Sequence, residues 1–246
     1  MDSSWFLELD GVQLLIDPWL EGEEIDFARW FNCQWHQTPP MDYTKLPPYQ
    51  AVLITQKYPD HCHLPTLVKL QPAHVIAPIS LHRKLRRHLP AARLDFFSPT
   101  HRRIRLDRIS LEQLPTRRRL APIYDAYWLT GMSQTLLLAN HGLSLDRQHL
   151  EQMGQREVNV LMSPFNRYCL PKLMGGLVSP GLMGLEQLLH QTQAKHVIPT
   201  HDELKHASGI VAKLAQIEPF EAHKGVLPSW LAAKYFPIQD YQTVNL

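Results

Sequence analysis

Apolar and polar positions alternate from the start of the chain. The run WFLELDGVQLLIDP, from Trp5 to Pro18, alternates and then turns continuously apolar. That pattern predicts two short strands around Asp10-Gly11, a dipeptide that favours hairpin turns. Pro18 and the EGEE run end the second strand, and Trp19 to Pro48 shows no clear period, so it is expected to be loop with short helical pieces. Ala51 to Thr55 is a β-rich apolar run that ends at the polar cluster QKYPDHCH, and Pro65 to Leu70 then takes helical spacing. Further strands are predicted over His74 to Pro78, Arg93 to Phe97 and Ile104 to Leu114, with a basic helix over Leu81 to Leu89. In the second half, strands are predicted over Ala126 to Leu129, Thr135 to Ala139, Val158 to Met162 and His196 to Pro199. Helices are predicted over Leu185 to Gln193 and Glu203 to Leu214. Each half therefore runs from strands to helices, the order expected of two sheets packed face to face with helices outside.

Composition narrows the classes. With 44% hydrophobic and 20% charged residues the chain of 246 residues can build a sizeable core, which excludes disordered and collagen-like classes. Twenty prolines against eleven glycines imply fixed turns and short helices. One domain over residues 1–246 is the expected organisation. The N-terminus lacks the cationic start of an export signal, and nowhere do about 18 uncharged apolar residues follow one another, so no membrane partner is expected. Three widely spaced cysteines, Cys33, Cys62 and Cys169, suit a reducing cytoplasm better than a disulfide framework.

Net charge is +2, yet Arg83 to Arg119 holds twelve Lys or Arg and three acids, a local +9 that leaves about −7 for the remainder. Arginine forks suit phosphate, but aromatic residues that could stack on bases are limited there to Phe96 and Phe97. Nucleic acid is therefore an unlikely partner, and a small-molecule substrate is expected; the oligomeric state is left open. Serine-nucleophile elbows and Walker loops are absent from the sequence.

Candidate chemistry lies at two strand ends. Thr55 to His63 follows one predicted strand, and Asp60 with His61 offers a carboxylate oxygen and an imidazole nitrogen, a pairing suited to zinc, manganese or iron. Downstream, IPTHDE repeats the arrangement, with His201 following a short apolar strand.

These residues carry a family resemblance. LLIDP near the start, a strand ending VLIT, the Asp60-His61 loop leading into PTL and a late VIPTHD, in that order from about Ser4 to about Leu214, resemble the metallo-β-lactamase fold superfamily, in its broad metal-dependent hydrolase branch. The resemblance implies an α/β fold, a four-layer αββα sandwich, with a metal centre at the edge shared by its two sheets. The family's loop reads His-x-His-x-Asp-His; here Gln56 and Tyr58 stand at the two leading positions, and Asp60 and His61 keep the second half. The last metal histidine of the family matches His201. The segment that commonly supplies a further histidine matches Leu114 to Arg118, which offers cations instead. The bridging acid matches Ala139 to Gly142, where His141 is a substitute.

What the resemblance implies is a hydrolase with a single divalent metal, zinc by first choice, held by Asp60, His61 and His201. Three protein ligands and a water suffice for a mononuclear catalytic site. Asp60 and Tyr58 are the candidate catalytic residues, Tyr58 as a hydrogen-bond donor to a developing oxyanion, and Gln56 is a candidate substrate-binding residue. His141, His63 and Asp17 are possible further ligands or supports of a ligand, with Asp17 expected to support a histidine at best. The scissile bond is left open among ester, phosphodiester, lactone and thioester. The alternative is a catalytically silent member of the fold that binds a ligand or polyanion.

Overall fold

The N-terminal alternation closes into a hairpin: β1 (Trp5–Leu9) pairs antiparallel with β2 (Val12–Ile16) in the register Leu9↔Val12. Asp10 and Gly11 both take positive φ, 50° and 77°, the backbone of a type I′ turn. The computed structural model describes residues 3–116, 124–142, 145, 148, 149, 151, 157–220, 227–237, 242, 243 and 245. It divides into two compact units. One comprises residues 1–113, 131–133 and 203–213, the other residues 114–130, 134–202 and 214–246.

In the first unit β2 pairs parallel with β5 (Ala51–Leu53), followed in parallel by β6 (His74–Pro78) and β7 (Arg93–Phe97), so a five-stranded sheet runs β1-β2-β5-β6-β7. Strands β5 and β6 are apolar on both faces, as parallel strands covered on two sides must be. Two short helices, α1 (Leu64–Leu70) and α2 (His82–His88), bring Leu67 and Leu85 onto a core with Leu15, Val52, Ile54, Cys62 and Val75. Seven such side chains, each burying ~1.5 to 3 kcal/mol of apolar surface, are ample to hold a sheet edge in place.

The segment from Trp19 to Pro48 is loop over most of its length, with a short 3-10 helix at Tyr43–Lys45, but it also contains two strands that its sequence does not announce. It holds β3 (Glu23–Asp26) and β4 (Asn32–Trp35), an antiparallel hairpin with Glu23↔Trp35 and Asp26↔Asn32. The third strand beside them is β16 (His206–Ser208), with His206↔Trp35 and Ser208↔Cys33. The helix expected over Glu203 to Leu214 is therefore shorter, confined to α4 (Ile210–Leu214), because the residues before it are drawn into this sheet. The predicted strand over Ile104 to Leu114 is in fact a second hairpin, β8 (Arg103–Leu106) and β9 (Ile109–Leu114), turning at Asp107 with φ 50°.

In the second unit β10 (Ala126–Thr130) and β11 (Thr135–Leu138) form a hairpin, and β11, β12 (Val160–Ser163) and β15 (His196–Pro199) run parallel. The helix α3 (Leu182–Thr192) buries Leu185, Leu188, Leu189 and Thr192, an i, i+3, i+4, i+7 stripe, against Trp128, Leu137, Leu161 and Val197. It ends at Gln193 in the left-handed conformation. A small sheet of β13 (Arg167–Cys169), β14 (Leu177–Pro180) and β17 (Gln216–Glu218) lies in the same unit, as does the short α5 (Ser229–Ala232). Among the described residues no helix is long and apolar enough to cross a membrane.

The basic stretch lies partly on exposed surface. Arg83, Arg86, Arg87, Arg102, Arg105 and Arg108 are exposed, while Arg93 pairs with Asp95 at 2.8 Å and Arg103 with Glu112 at 2.6 Å. Arg117, Arg118 and Arg119 lie outside the described residues.

Candidate metal centre

Parallel strands present their C-terminal ends along one edge, where open loops can carry polar groups without disturbing the ladder. In the first unit that edge holds Asp17, directly after β2, and Thr55 and Gln56, just after β5. Asp17 is fully buried, with φ 42°. Its carboxylate accepts hydrogen bonds from the Thr55 amide at 2.7 Å, from the Thr55 hydroxyl, and from His61 Nδ1 at 2.7 Å. Its backbone is fixed as well, since the Asp17 amide donates to the Leu53 carbonyl at 2.9 Å and Ser4 Oγ donates to the Asp17 carbonyl at 2.8 Å.

This arrangement decides the chemistry of His61. A carboxylate at Nδ1 places the ring proton there and leaves the lone pair on Nε2, the form in which an imidazole ligates a metal. Nε2 lies 3.8 Å from Asp60 Oδ2, so the two donor atoms converge. The loop itself is a single turn: the His61 and Cys62 amides both donate to the Tyr58 carbonyl, at 3.1 and 2.7 Å, and Ser3 Oγ donates to the Asp60 carbonyl.

The neighbours of the pair divide into two groups. His63 is the N-cap of α1: its Nδ1 accepts from the Thr66 amide and lies 2.8 Å from Thr66 Oγ1, and its Nε2 donates to the Glu23 carbonyl at 3.2 Å. Both ring nitrogens serve the fold, which removes His63 from the candidate ligands. Cys62 packs into the core, and burial pushes its thiol up to about 11, so it stays protonated at neutral pH. Tyr58 is half-buried beside Asp60. Burial, then the charges of Asp26 and Asp60, push its phenol above the usual range, so it keeps its proton at neutral pH. Gln56 is buried next to it.

Asp26, at the end of β3, escapes sequence reasoning. Burial, then the charge of Asp60, raise its carboxyl above the usual carboxylate range, which puts it in the neighbourhood of Asp60 and Tyr58. The only signal for it would have been recognition of the β3–β4 hairpin.

In the second unit the same edge logic holds. His141 follows β11 in a turn closed by the Gly142 amide on the Ala139 carbonyl at 2.9 Å, and His201 follows β15. Their rings meet edge to face with centroids 4.6 Å apart, and His141 is buried. His201 is not at a helix start; it sits in a loop with φ 59°, the left-handed region that costs most residues ~1 to 2 kcal/mol. Asp202 holds that loop: its carboxylate accepts from the Phe165 and Asn166 amides, both at 2.7 Å, directly after β12. Asn166 closes the frame, donating to the Asp202 carbonyl at 2.9 Å and accepting from the Phe220 amide at 2.6 Å.

Each unit thus presents donors suited to a divalent ion of borderline hardness: a carboxylate and an imidazole with an assigned tautomer in the first, and, separately, two imidazoles in contact in the second. Sequence comparison decides the family. Residues 1–201 match the β-lactamase superfamily domain. The chain belongs to that superfamily. Solved structures of the metallo-β-lactamase fold agree with the assignment, although their sequences are distant. Igni18, a metallo hydrolase from the archaeon Ignicoccus hospitalis, is 16% identical with a TM-score of 0.56, the alignment covering 81% of this chain and 79% of that one. An isothiocyanate hydrolase from Delia radicum gut bacteria is 15% identical with a TM-score of 0.59, covering 81% and 82%. CmlA, a diiron β-hydroxylase from Streptomyces venezuelae, is 13% identical with a TM-score of 0.57, covering 81% of this chain and 43% of that one. No curated protein matches the sequence. This superfamily member thus has the α/β sandwich fold of the metallo-β-lactamases.

Proposed function

We propose that this β-lactamase superfamily chain is a metal-dependent hydrolase of small molecules, working as one catalytic domain with one divalent ion, zinc first. Asp60, His61 and His201 hold the ion, and His141 joins them where the family has its bridging acid. The observation that carries the reading is the Asp17–His61–Asp60 chain. A buried carboxylate spends two of its contacts fixing a strand-end threonine and the third fixing an imidazole tautomer, which a merely structural histidine would not require. The ion, when bound, supplies a Lewis acid that polarises the scissile carbonyl or phosphoryl oxygen and lowers the pKa of its water.

The residues of the chain supply the rest. Asp17 keeps the His61 lone pair directed outward, and Asp202 keeps His201 in its left-handed loop. Tyr58, protonated at neutral pH, donates a hydrogen bond to the oxygen on which charge develops; Gln56 orients the substrate. An ester or phosphodiester is the preferred substrate class, and the hydrolases among the solved structures support hydrolysis over oxidation. A cytoplasmic location is proposed with it, on the strength of three free cysteines.

Gln56 and Tyr58 in place of two motif histidines favour one rival, a silent member that only binds ligands. Elemental analysis of purified protein, repeated on Asp60→Ala and His201→Ala, separates the two when combined with an ester and phosphodiester panel. About one ion per chain, lost in both variants, together with metal-dependent turnover, supports the hydrolase. Bound metal with no turnover above background on the panel hands the site to the binding reading, and two tightly held ions refute the single-metal assignment.

A further inference from the structure

One face of the three-stranded sheet β3-β4-β16 gathers side chains that the metal centre does not use. Residues opposite each other in a ladder share a face, and so do residues two apart along a strand. Glu23 of β3 stands opposite Trp35 of β4, Trp35 opposite His206 of β16, and Cys33 opposite Ser208. Glu23, Cys33, Trp35 and Ser208, with Arg29 and Gly22 from the turns, line a cavity of about 560 Å³. That volume lies within the ~300 to 1,000 Å³ usual for small-molecule sites. All six residues belong to the first unit.

A hydrogen-bonded chain sets one wall of the cavity. The buried Cys33 thiol donates to Glu23 Oε2 at 2.9 Å, and the same oxygen pairs with Arg29 Nη1. The hydrogen bond from Cys33 first, and that from Arg29 second, hold the Glu23 carboxyl below the usual carboxylate range, so it is charged at neutral pH. Arg29 is exposed, and an ion pair there adds little to stability. Its effect is to orient the guanidinium: the pair engages Nη1 and leaves Nε and Nη2 as donors among the lining groups.

The other wall is aromatic. The Trp35 indole is exposed, and the His206 ring lies beside it, centroids 5.7 Å apart and planes at 30°, which steadies the indole plane. Gly22, left-handed at φ 63°, adds no side chain to the lining. A guanidinium with two donors to spare and an indole face around one cavity complement a flat anion, whose carboxylate accepts from the guanidinium while its ring packs on the indole. A cationic ligand would meet Arg29 beside the one carboxylate in the lining, and an anion without a ring would leave the indole in water.

We propose that this cavity is a binding site for an aryl carboxylate, with the carboxylate held by Arg29 and the Ser208 hydroxyl and the ring against Trp35. The site stands on the first unit alone and does not depend on the hydrolase reading.

The test is titration calorimetry of the zinc-loaded full chain with 2-naphthoate, with the uncharged 2-naphthamide and with the saturated decahydro-2-naphthoate, in the wild type and in Arg29→Gln, Trp35→Leu and Asp60→Ala. Naphthoate should bind the wild type about tenfold more tightly than naphthamide, the worth of a charge-assisted hydrogen bond, and about two- to tenfold more tightly than the saturated acid, the worth of aromatic packing. Arg29→Gln should erase the first difference and Trp35→Leu the second, with far-ultraviolet circular dichroism checking the fold of each. Arg29 is exposed, so Arg29→Gln decides the matter should Trp35→Leu fail to fold. Asp60→Ala should keep both differences. Absence of saturable naphthoate binding, or binding unchanged in folded Arg29→Gln, overturns the proposal. So does binding lost in Asp60→Ala but kept in the other two variants, because the carboxylate would then sit on the metal.

Discussion

Replacing Asp17 by asparagine tests the site at its foundation. Asparagine has the shape of aspartate and tolerates the left-handed backbone at this position, so the change is almost purely one of hydrogen-bond polarity. Its Oδ1 can still accept from the Thr55 amide, but its amide group then faces Thr55 Oγ1 and His61 Nδ1 as a donor. His61 Nδ1 must become the acceptor, which moves the ring proton to Nε2, the atom beside Asp60. The lone pair needed for ligation is lost unless the ring is reorganised, and such changes behind a metal histidine cost about 10- to 100-fold in affinity. That corresponds to ~1.4 to 2.7 kcal/mol. Asp17→Ala would be a poorer probe, because it strips an acceptor from three donors at ~1 to 3 kcal/mol each and unfolding would mask the effect. The assay is zinc affinity by competition with a chelator, with nitrogen-15 histidine spectra reporting the tautomer. Equal zinc affinity in Asp17→Asn, with the Nδ1 proton still in place, would refute the argument.

Other expectations concern the same fold. Tyr58→Phe should lower kcat by about 100-fold without changing metal content, as loss of one oxyanion donor does, measured on whichever substrate the panel yields. Asp202→Ala leaves the buried Phe165 and Asn166 amides without their acceptor and should cost about 2 to 5 kcal/mol in urea unfolding while weakening zinc binding. Burial raises the Tyr49 phenol above its usual value of 10, so the unfolded chain releases that proton first. Stability is then full below pH 10 and falls as pH rises through the folded pKa, and Tyr49→Phe should flatten the fall. Of the three thiols, Cys33 and Cys62 are buried and held protonated by burial, so a thiol reagent at pH 8 should label Cys169 first, one equivalent per folded chain. Retention of the chain on heparin, if its exposed arginines bind polyanions, should vanish as salt rises, since counterion release drives such contacts; a salt-resistant complex would revive the nucleic-acid reading.

What the sequence alone determined was whatever depends on neighbours along the chain. The Asp10-Gly11 hairpin, the buried runs of β5 and β6 and the stripe of α3 are legible because period, turn chemistry and apolar content are local properties. The strand-end motifs that made Asp60, His61 and His201 candidates are contiguous, and so readable for a related reason. The tertiary structure decided the rest. Glu23–Asp26 and Asn32–Trp35 are mostly polar and short, with little strand preference of their own; they are strands because each pairs with the other and because residues 206–208, more than 170 positions beyond Trp35, complete the sheet. That same pairing shortened the expected helix at Glu203. His63 and Cys62 share a loop with His61, and their partners differ: a helix cap and a core for two, a buried carboxylate for the third. A residue's type fixes which atoms it can offer, but the groups brought up against it from distant strands fix its tautomer and charge, and with them its chemistry.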